Sequence, residues 1–164
     1  MNPHPLRTTL ILAALAAAAI ALIRKTMQKN STDPYSPHCQ PVTGPVSSPF
    51  GSSRPGHKHT GVDIAVPSGT PVRAPWPGTV TGVYFDATYG GGKTVIINHP
   101  NGYRTGYCHL SQYRVAQGDT VQASQVIALS GNTGAASSGP HLHFSLTNPQ
   151  GAKIDPQTLF NFQA

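Results

Sequence analysis

Beyond residue 50 no stretch keeps a helical periodicity long enough for a major helix, because turn residues interrupt it at short intervals. Pro67-Ser68-Gly69, Pro75-Trp76-Pro77-Gly78, Gly90-Gly91-Gly92, Pro100-Asn101-Gly102 and the glycines between 131 and 139 each mark a turn. Proline presets φ, and glycine tolerates the positive φ that tight turns demand. Segments rich in β-branched and aromatic residues stand between them, at 61–66, 71–74, 78–85, 94–98, 103–110, 120–129 and 141–146. Such segments prefer a pleated, half-buried surface. Asn101-Gly102 between two of them signals a hairpin. The pattern predicts an antiparallel all-β domain, with no repeat of useful period.

A chain of 164 residues has room for one core and some extra. The extra lies at the start. Residues 8–23 are uncharged and apolar, flanked by Arg7 and by Arg24-Lys25. As a helix they would span about 24 Å, short of the roughly 30 Å hydrocarbon layer, though flanking cations can snorkel. We expect an uncleaved membrane anchor over residues 1–25. Ala19-Ile20-Ala21 has the form of a signal-peptide cleavage site and supplies the alternative. Lys and Arg counts alone would put the C-terminal flank in the cytoplasm. Residues 26–46, rich in Asn, Ser, Pro, Thr and Gln, read as a linker, leaving 47–164 as the domain.

The net charge of +6 is uneven, with Arg7, Arg24, Lys25 and Lys29 in the acid-free first 30 residues. From Gly44 onward seven cations face four Asp. That excess suits an anionic polymer, but no Lys/Arg cluster interleaved with aromatics points to nucleic acid. The chain has no glutamate, so the His-Glu-x-x-His route to metallopeptidase chemistry is closed. Any acid or base must be His, Asp or Tyr.

Histidine is where the chemistry concentrates. In Gly139-Pro140-His141-Leu142-His143-Phe144-Ser145-Leu146, strand alternation turns His141 and His143 to one face and sinks Leu142, Phe144 and Leu146 into the core. Imidazole is a common zinc ligand and can also exchange protons near neutrality. His59-Thr60-Gly61-Val62-Asp63 adds a second pair. Four residues of straight strand span about 13 Å, too far for both side chains to meet one ion, so the chain must bend there, as Gly61 permits. His109 closes the segment 103–110. Six of the eight histidines fall between His57 and His143.

Over residues 47–160 the sequence resembles the lysostaphin-type, or LytM-like, zinc endopeptidases of peptidoglycan. The matching pieces are Ser48-Pro49-Phe50-Gly51 with Arg54, His59-x-Gly61-x-Asp63-Ile64-Ala65, Gly69-Thr70-Pro71-Val72-x-Ala74, Gly78-x-Val80 and Asn101-Gly102-Tyr103-x-Thr105-x-Tyr107-x-His109-Leu110-Ser111. Gly118-Asp119-x-Val121, Ser130-Gly131-Asn132-Thr133-Gly134 and Ser138-Gly139-Pro140-His141-Leu142-His143-Phe144 follow. The resemblance implies antiparallel sheets around an open groove, one zinc ion on His59, Asp63 and His143, and catalytic histidines at His109 and His141. It implies peptidoglycan as substrate, with a non-catalytic wall-binding or hydrolase-activating domain as the alternative. The bond remains open, Gly-Gly or a D-alanyl cross-link to a diamino acid. So does the setting: a domain facing the periplasm or wall, a secreted enzyme, or a virion membrane. Three protein ligands leave one position for water, as a catalytic zinc requires. His141, with His109 as partner, is the expected proton acceptor.

The departures bear on the groove. Two serines stand between Gly51 and Arg54, leaving the placement of the Arg unsettled. Cys108 replaces a small residue beside His109, and Ser145 replaces an acid that follows His-Phe in the family. Ser124-Gln125 stands for Gly-Gln. Cys39 and Cys108 admit one disulfide in an oxidising compartment. His99 reads as structural, His57 as a solvated loop residue, and His4 and His38 as outside the chemistry. Trp76, Tyr84, Tyr89 and Tyr103 are candidates for lining the groove or for packing.

Overall fold

The computed structural model describes residues 36–163, and the expected anchor over residues 8–23 lies outside the described residues. Among the described residues no helix is long and apolar enough to cross a membrane.

Thirteen strands follow one another: β1 (Val46–Ser48), β2 (Ser53–Arg54), β3 (His57–Lys58), β4 (Val62–Ile64), β5 (Pro71–Arg73), β6 (Gly78–Asp86) and β7 (Gly92–Asn98), then β8 (Arg104–Leu110), β9 (Gln112–Tyr113), β10 (Thr120–Val121), β11 (Val126–Leu129), β12 (Leu142–Thr147) and β13 (Lys153–Ile154). A single 3-10 turn, Pro156–Thr158, follows, opened by Asp155, whose carboxylate accepts from the Gln157 amide. All strand pairs are antiparallel. Eight strands form one sheet in the order β1-β4-β12-β8-β7-β6-β10, with β13 beside the far end of β12. β5, β11 and β9 form a second sheet, and β2 and β3 a small hairpin. The all-β expectation is met.

One face of the large sheet is the core. Val62, Ile64, Val95, Ile97, Tyr107, Leu142, Phe144 and Leu146 are fully buried there, packed with Val72 and Ile127 of the smaller sheet. Each such side chain contributes about 1.5–3 kcal/mol of burial. The alternation read in β12 is therefore real: its even-numbered residues are core, which turns His143, Ser145 and Thr147 to the other face.

Two expectations change on contact with tertiary structure, and the disulfide that the two cysteines admit is not formed. Residues 37–45, within the expected linker, lie against the domain: Val42 is in the core, the His38 amide donates to Pro75 O, the Arg73 amide to Pro41 O and the Gly44 amide to Phe162 O. The expected strand 120–129 is two, because Ser124 adopts a φ of 67°. The chain turns there, sending β10 to the large sheet and β11 to the small one. Cys39 and Cys108 are both free. The Cys39 thiol donates to Ala74 O, whereas Cys108 lines the open face.

Candidate metal and proton-transfer site

The open face of the large sheet carries a groove of about 580 Å3. Its centre is a paired row across three strands, Asp63 of β4 opposite His143 of β12 opposite Cys108 of β8. Directly opposed residues share a face, so pairing alone brings Asp63 to His143. His59 arrives from outside the strands. The chain bends at Gly61, and a side chain on Gly61 would overlap the Phe144 carbonyl and the His143 ring. That approach lets His59 fold back over Asp63.

The result is three donor atoms at mutual distances near 3 Å. His59 Nε2 lies 3.0 Å from His143 Nδ1 and 3.1 Å from Asp63 Oδ1, and His143 Nδ1 lies 2.9 Å from Asp63 Oδ1. Tetrahedral bonds of about 2.0–2.1 Å separate donors by about 3.3 Å, so these edges fit a zinc-sized ion to within a few tenths of an ångström. Two imidazole nitrogens and a carboxylate oxygen also suit such an ion chemically. All three atoms belong to the one group among the described residues with metal-ligand spacing. His59 Nδ1–H donates to Pro49 O at 3.0 Å, which fixes the tautomer and leaves Nε2 bare toward the trio.

Arg54 completes the carboxylate's surroundings. Its Nη2 donates to Asp63 Oδ2 at 2.7 Å and to Ser48 Oγ at 2.9 Å, so one oxygen of Asp63 is held and the other faces the trio. The hairpin β2–β3, with Arg54 opposite His57, delivers it there despite the extra serine. Sequence reasoning quoted Arg54 in a motif without assigning it this contact. Burial alone would raise the Asp63 carboxyl. The His143 and His59 rings reverse that and hold it well below the usual carboxylate range. Burial pushes His143 down, against the pull of Asp63.

His141 and His109 stand beside the trio. His141 lies outside β12, in a single bridge to Gly131, and its Nε2 is 3.7 Å from Asp63 Oδ1. His109 occupies a bulge: Lys93 pairs with Leu110 and Val95 with Tyr107, so Cys108 and His109 together oppose Thr94. Plain alternation would have put His109 on the core face with Tyr107. The bulge and a φ of 61° at His109 send it to the groove while Tyr107 and Leu110 both stay buried. The two rings are 4.6 Å apart at their centroids. His109 Nδ1–H donates to Thr133 O and His141 Nδ1–H to Gly139 O, each at 2.8 Å, so each Nε2 is free to take a proton. Burial pushes His109 down to about 4, and the ring is neutral at pH 7. The loop that supplies Thr133 packs tightly, and a side chain on Gly134 would overlap the backbone of Gly90 and Gly92.

All five expected site residues thus meet in one place. The aromatic candidates divide. Trp76 and Tyr103 stack at 5.3 Å in the core, while Tyr84 and Tyr89 line the groove. His57 is exposed at its mouth. His99 is buried, donating from Nδ1 to Pro77 O and accepting at Nε2 from Thr105. Ser145 meets Lys153 rather than a ligand.

Comparison with known proteins agrees with this geometry. The model of peptidase family M23 matches residues 57–156. The DD-carboxypeptidase/endopeptidase Mpg of Neisseria meningitidis is 46% identical over 120 residues, 70% of this chain and 26% of the relative. The chain spans about a quarter of the length of the curated relatives it matches first. Among solved structures, the catalytic domain of lysostaphin from Staphylococcus simulans has a TM-score of 0.60 at 36% identity, covering 70% of this chain and 88% of that one. A zinc containing peptidase from Vibrio cholerae has a TM-score of 0.67 at 30% identity, covering 77% and 40%.

Proposed function

The chain belongs to peptidase family M23, and from that premise we propose that it is a zinc endopeptidase hydrolysing peptide bonds of bacterial peptidoglycan. The observation that carries this reading is the convergence of His59 Nε2, Asp63 Oδ1 and His143 Nδ1 beside two bare imidazole nitrogens. A non-catalytic wall-binding domain has no need of five such residues converging on one place.

His59, Asp63 and His143 would hold one zinc ion, which when bound would supply Lewis acidity toward the scissile carbonyl and lower the pKa of water toward neutrality. The rest falls to side chains. As water forms its bond to the carbonyl carbon, His141 Nε2 accepts the proton, its ring oriented by the Nδ1–H bond to Gly139 O. The protonated ring then donates to the amide nitrogen as the C–N bond breaks, giving a carboxylate and an amine. His109, beside it and oriented by Thr133 O, presents a second bare Nε2 through which the proton can be relayed. Arg54 holds one oxygen of Asp63 and so aims the other at the trio.

We extend the reading to location: residues 8–23 anchor the protein with the domain outside the cytoplasmic membrane. Fractionation with N-terminal sequencing tests this, and a soluble species lacking residues 1–21 overturns it. For the activity, the purified zinc-loaded protein is incubated with defined peptidoglycans and the fragments weighed by mass spectrometry. New amine and carboxylate termini at one bond type support the reading. Binding without cleavage by the zinc-loaded protein refutes it.

A further inference from the structure

The metal row is one of three parallel rows on the same open face. Along β12, His143, Ser145 and Thr147 project to that face at intervals of about 7 Å. The second row pairs Ser145 with Gly106, whose missing side chain leaves room for the serine hydroxyl. In the third, Thr147 stands between Lys153 of β13 and Arg104 of β8, paired with both. Lys153 and Arg104 therefore share a face, across one strand from each other.

Neither cation has an acidic partner among the described residues. Lys153 Nζ leans back along the groove to donate to Ser145 Oγ at 2.9 Å, which uses one of its three N–H groups. Arg104 is paired through its backbone to Thr147 and Asn98, and its guanidinium makes no hydrogen bond among the described residues. Thr147 is 3% exposed, and its Oγ1 has no hydrogen-bond partner. Burial, and then the neighbouring Arg104 charge, pull the Lys153 ammonium below its ordinary value. Two uncompensated cations and an unpartnered hydroxyl thus lie one to two strand steps from the metal row. The two carboxylates that line the groove are engaged elsewhere, Asp63 with Arg54 and the metal trio and Asp86 with the amides of Tyr89 and Gly91.

We infer that Lys153, Arg104 and Ser145 form a carboxylate subsite, which selects peptides carrying a free carboxylate within about two residues of the bond cut. This rests on the peptidase reading and deepens it. A D-alanyl cross-link to a diamino dicarboxylic acid presents such a carboxylate beside the scissile amide. A polyglycine bridge presents none, so the chain acts on the former.

Three probes test this on the zinc-loaded protein: a cross-linked peptide with the diamino acid carboxylate free, the same peptide amidated there, and an end-blocked pentaglycine. Binding is measured with His141→Ala and cleavage with the parent. The free acid is expected to bind and to be cut with kcat/KM about tenfold above the amide. Lys153→Met should collapse that ratio toward one, Lys153→Arg should restore it, and Arg104→Met should reduce it. These residues are exposed, and zinc content with circular dichroism checks that each variant is folded. Preferential binding of the free acid with no peptide cut keeps the subsite and sinks the peptidase reading. Equal cleavage of acid and amide, or a ratio unmoved by Lys153→Met, keeps the peptidase and overturns the subsite, as does preferred cleavage of pentaglycine.

Discussion

Asp63 and His143 reach the site from opposed positions of regular strands, whereas His109 and His141 reach it from a bulge and from a lone bridge. The first pair is positioned by backbone hydrogen bonds that any antiparallel ladder makes. The second is positioned by departures from the ladder, and each ring is then locked by one carbonyl, Thr133 O or Gly139 O. Ligands must hold fixed distances to one ion, and a ladder provides that. Period two would put His109, next to the groove-facing Cys108, on the core face. Here the backbone is distorted instead, and the positive φ at His109 costs of order 1–3 kcal/mol that surrounding packing offsets.

The largest effects should separate the two groups. Asp63→Ala or His143→Ala should lose bound zinc by elemental analysis, with hydrolysis at background. Equal zinc content in these variants would break the comparison outright. His141→Ala should keep its zinc while wall hydrolysis falls about 10²–10⁴-fold, the usual worth of a general acid–base group. Loss of metal in that variant would move His141 among the ligands. Arg54→Met touches the ladder group from behind, and competition with a chelator should find zinc affinity lower by about 10–100-fold.

Smaller effects report on backbone. At His109 both Gly and Ala abolish the ring, but Gly accepts the positive φ, so His109→Gly should be more stable to denaturant than His109→Ala by about 1–2 kcal/mol. At a regular strand position the order is reversed, so finding Ala more stable would remove the claim of strain. His99 serves as a histidine outside both groups. Burial lowers it from its ordinary 6.5. Between that lowered value and 6.5 the unfolded chain binds more protons, so stability is full above about 6.5 and is lost as pH falls through that window. His99→Gln should flatten the acid side of a stability profile measured by denaturant melts. An unchanged slope would exclude His99 as its source.

The sequence by itself determined what depends on local periodicity and side-chain type. Leu142, Phe144 and Leu146 are buried and His143 faces away because a strand alternates with period two. The turn residues excluded long helices. The donor set was legible through the resemblance to the lysostaphin-type family, while the absence of glutamate by itself only limited acids and bases to His, Asp and Tyr. Tertiary structure decided what depends on pairing with distant segments. Alternation alone puts His109 with Tyr107 in the core. Only the mismatch between β7 and β8 against Thr94 turns it outward. Ser124 divides one expected strand because its amide bonds to Ala74 O across the fold. Residues 37–45 carry no periodicity, yet they are held by Pro75, Arg73 and Phe162. Arg54 meets Asp63, and Lys153 lines up with Arg104, through register between strands far apart in sequence, which is set by the whole sheet and by no local signal.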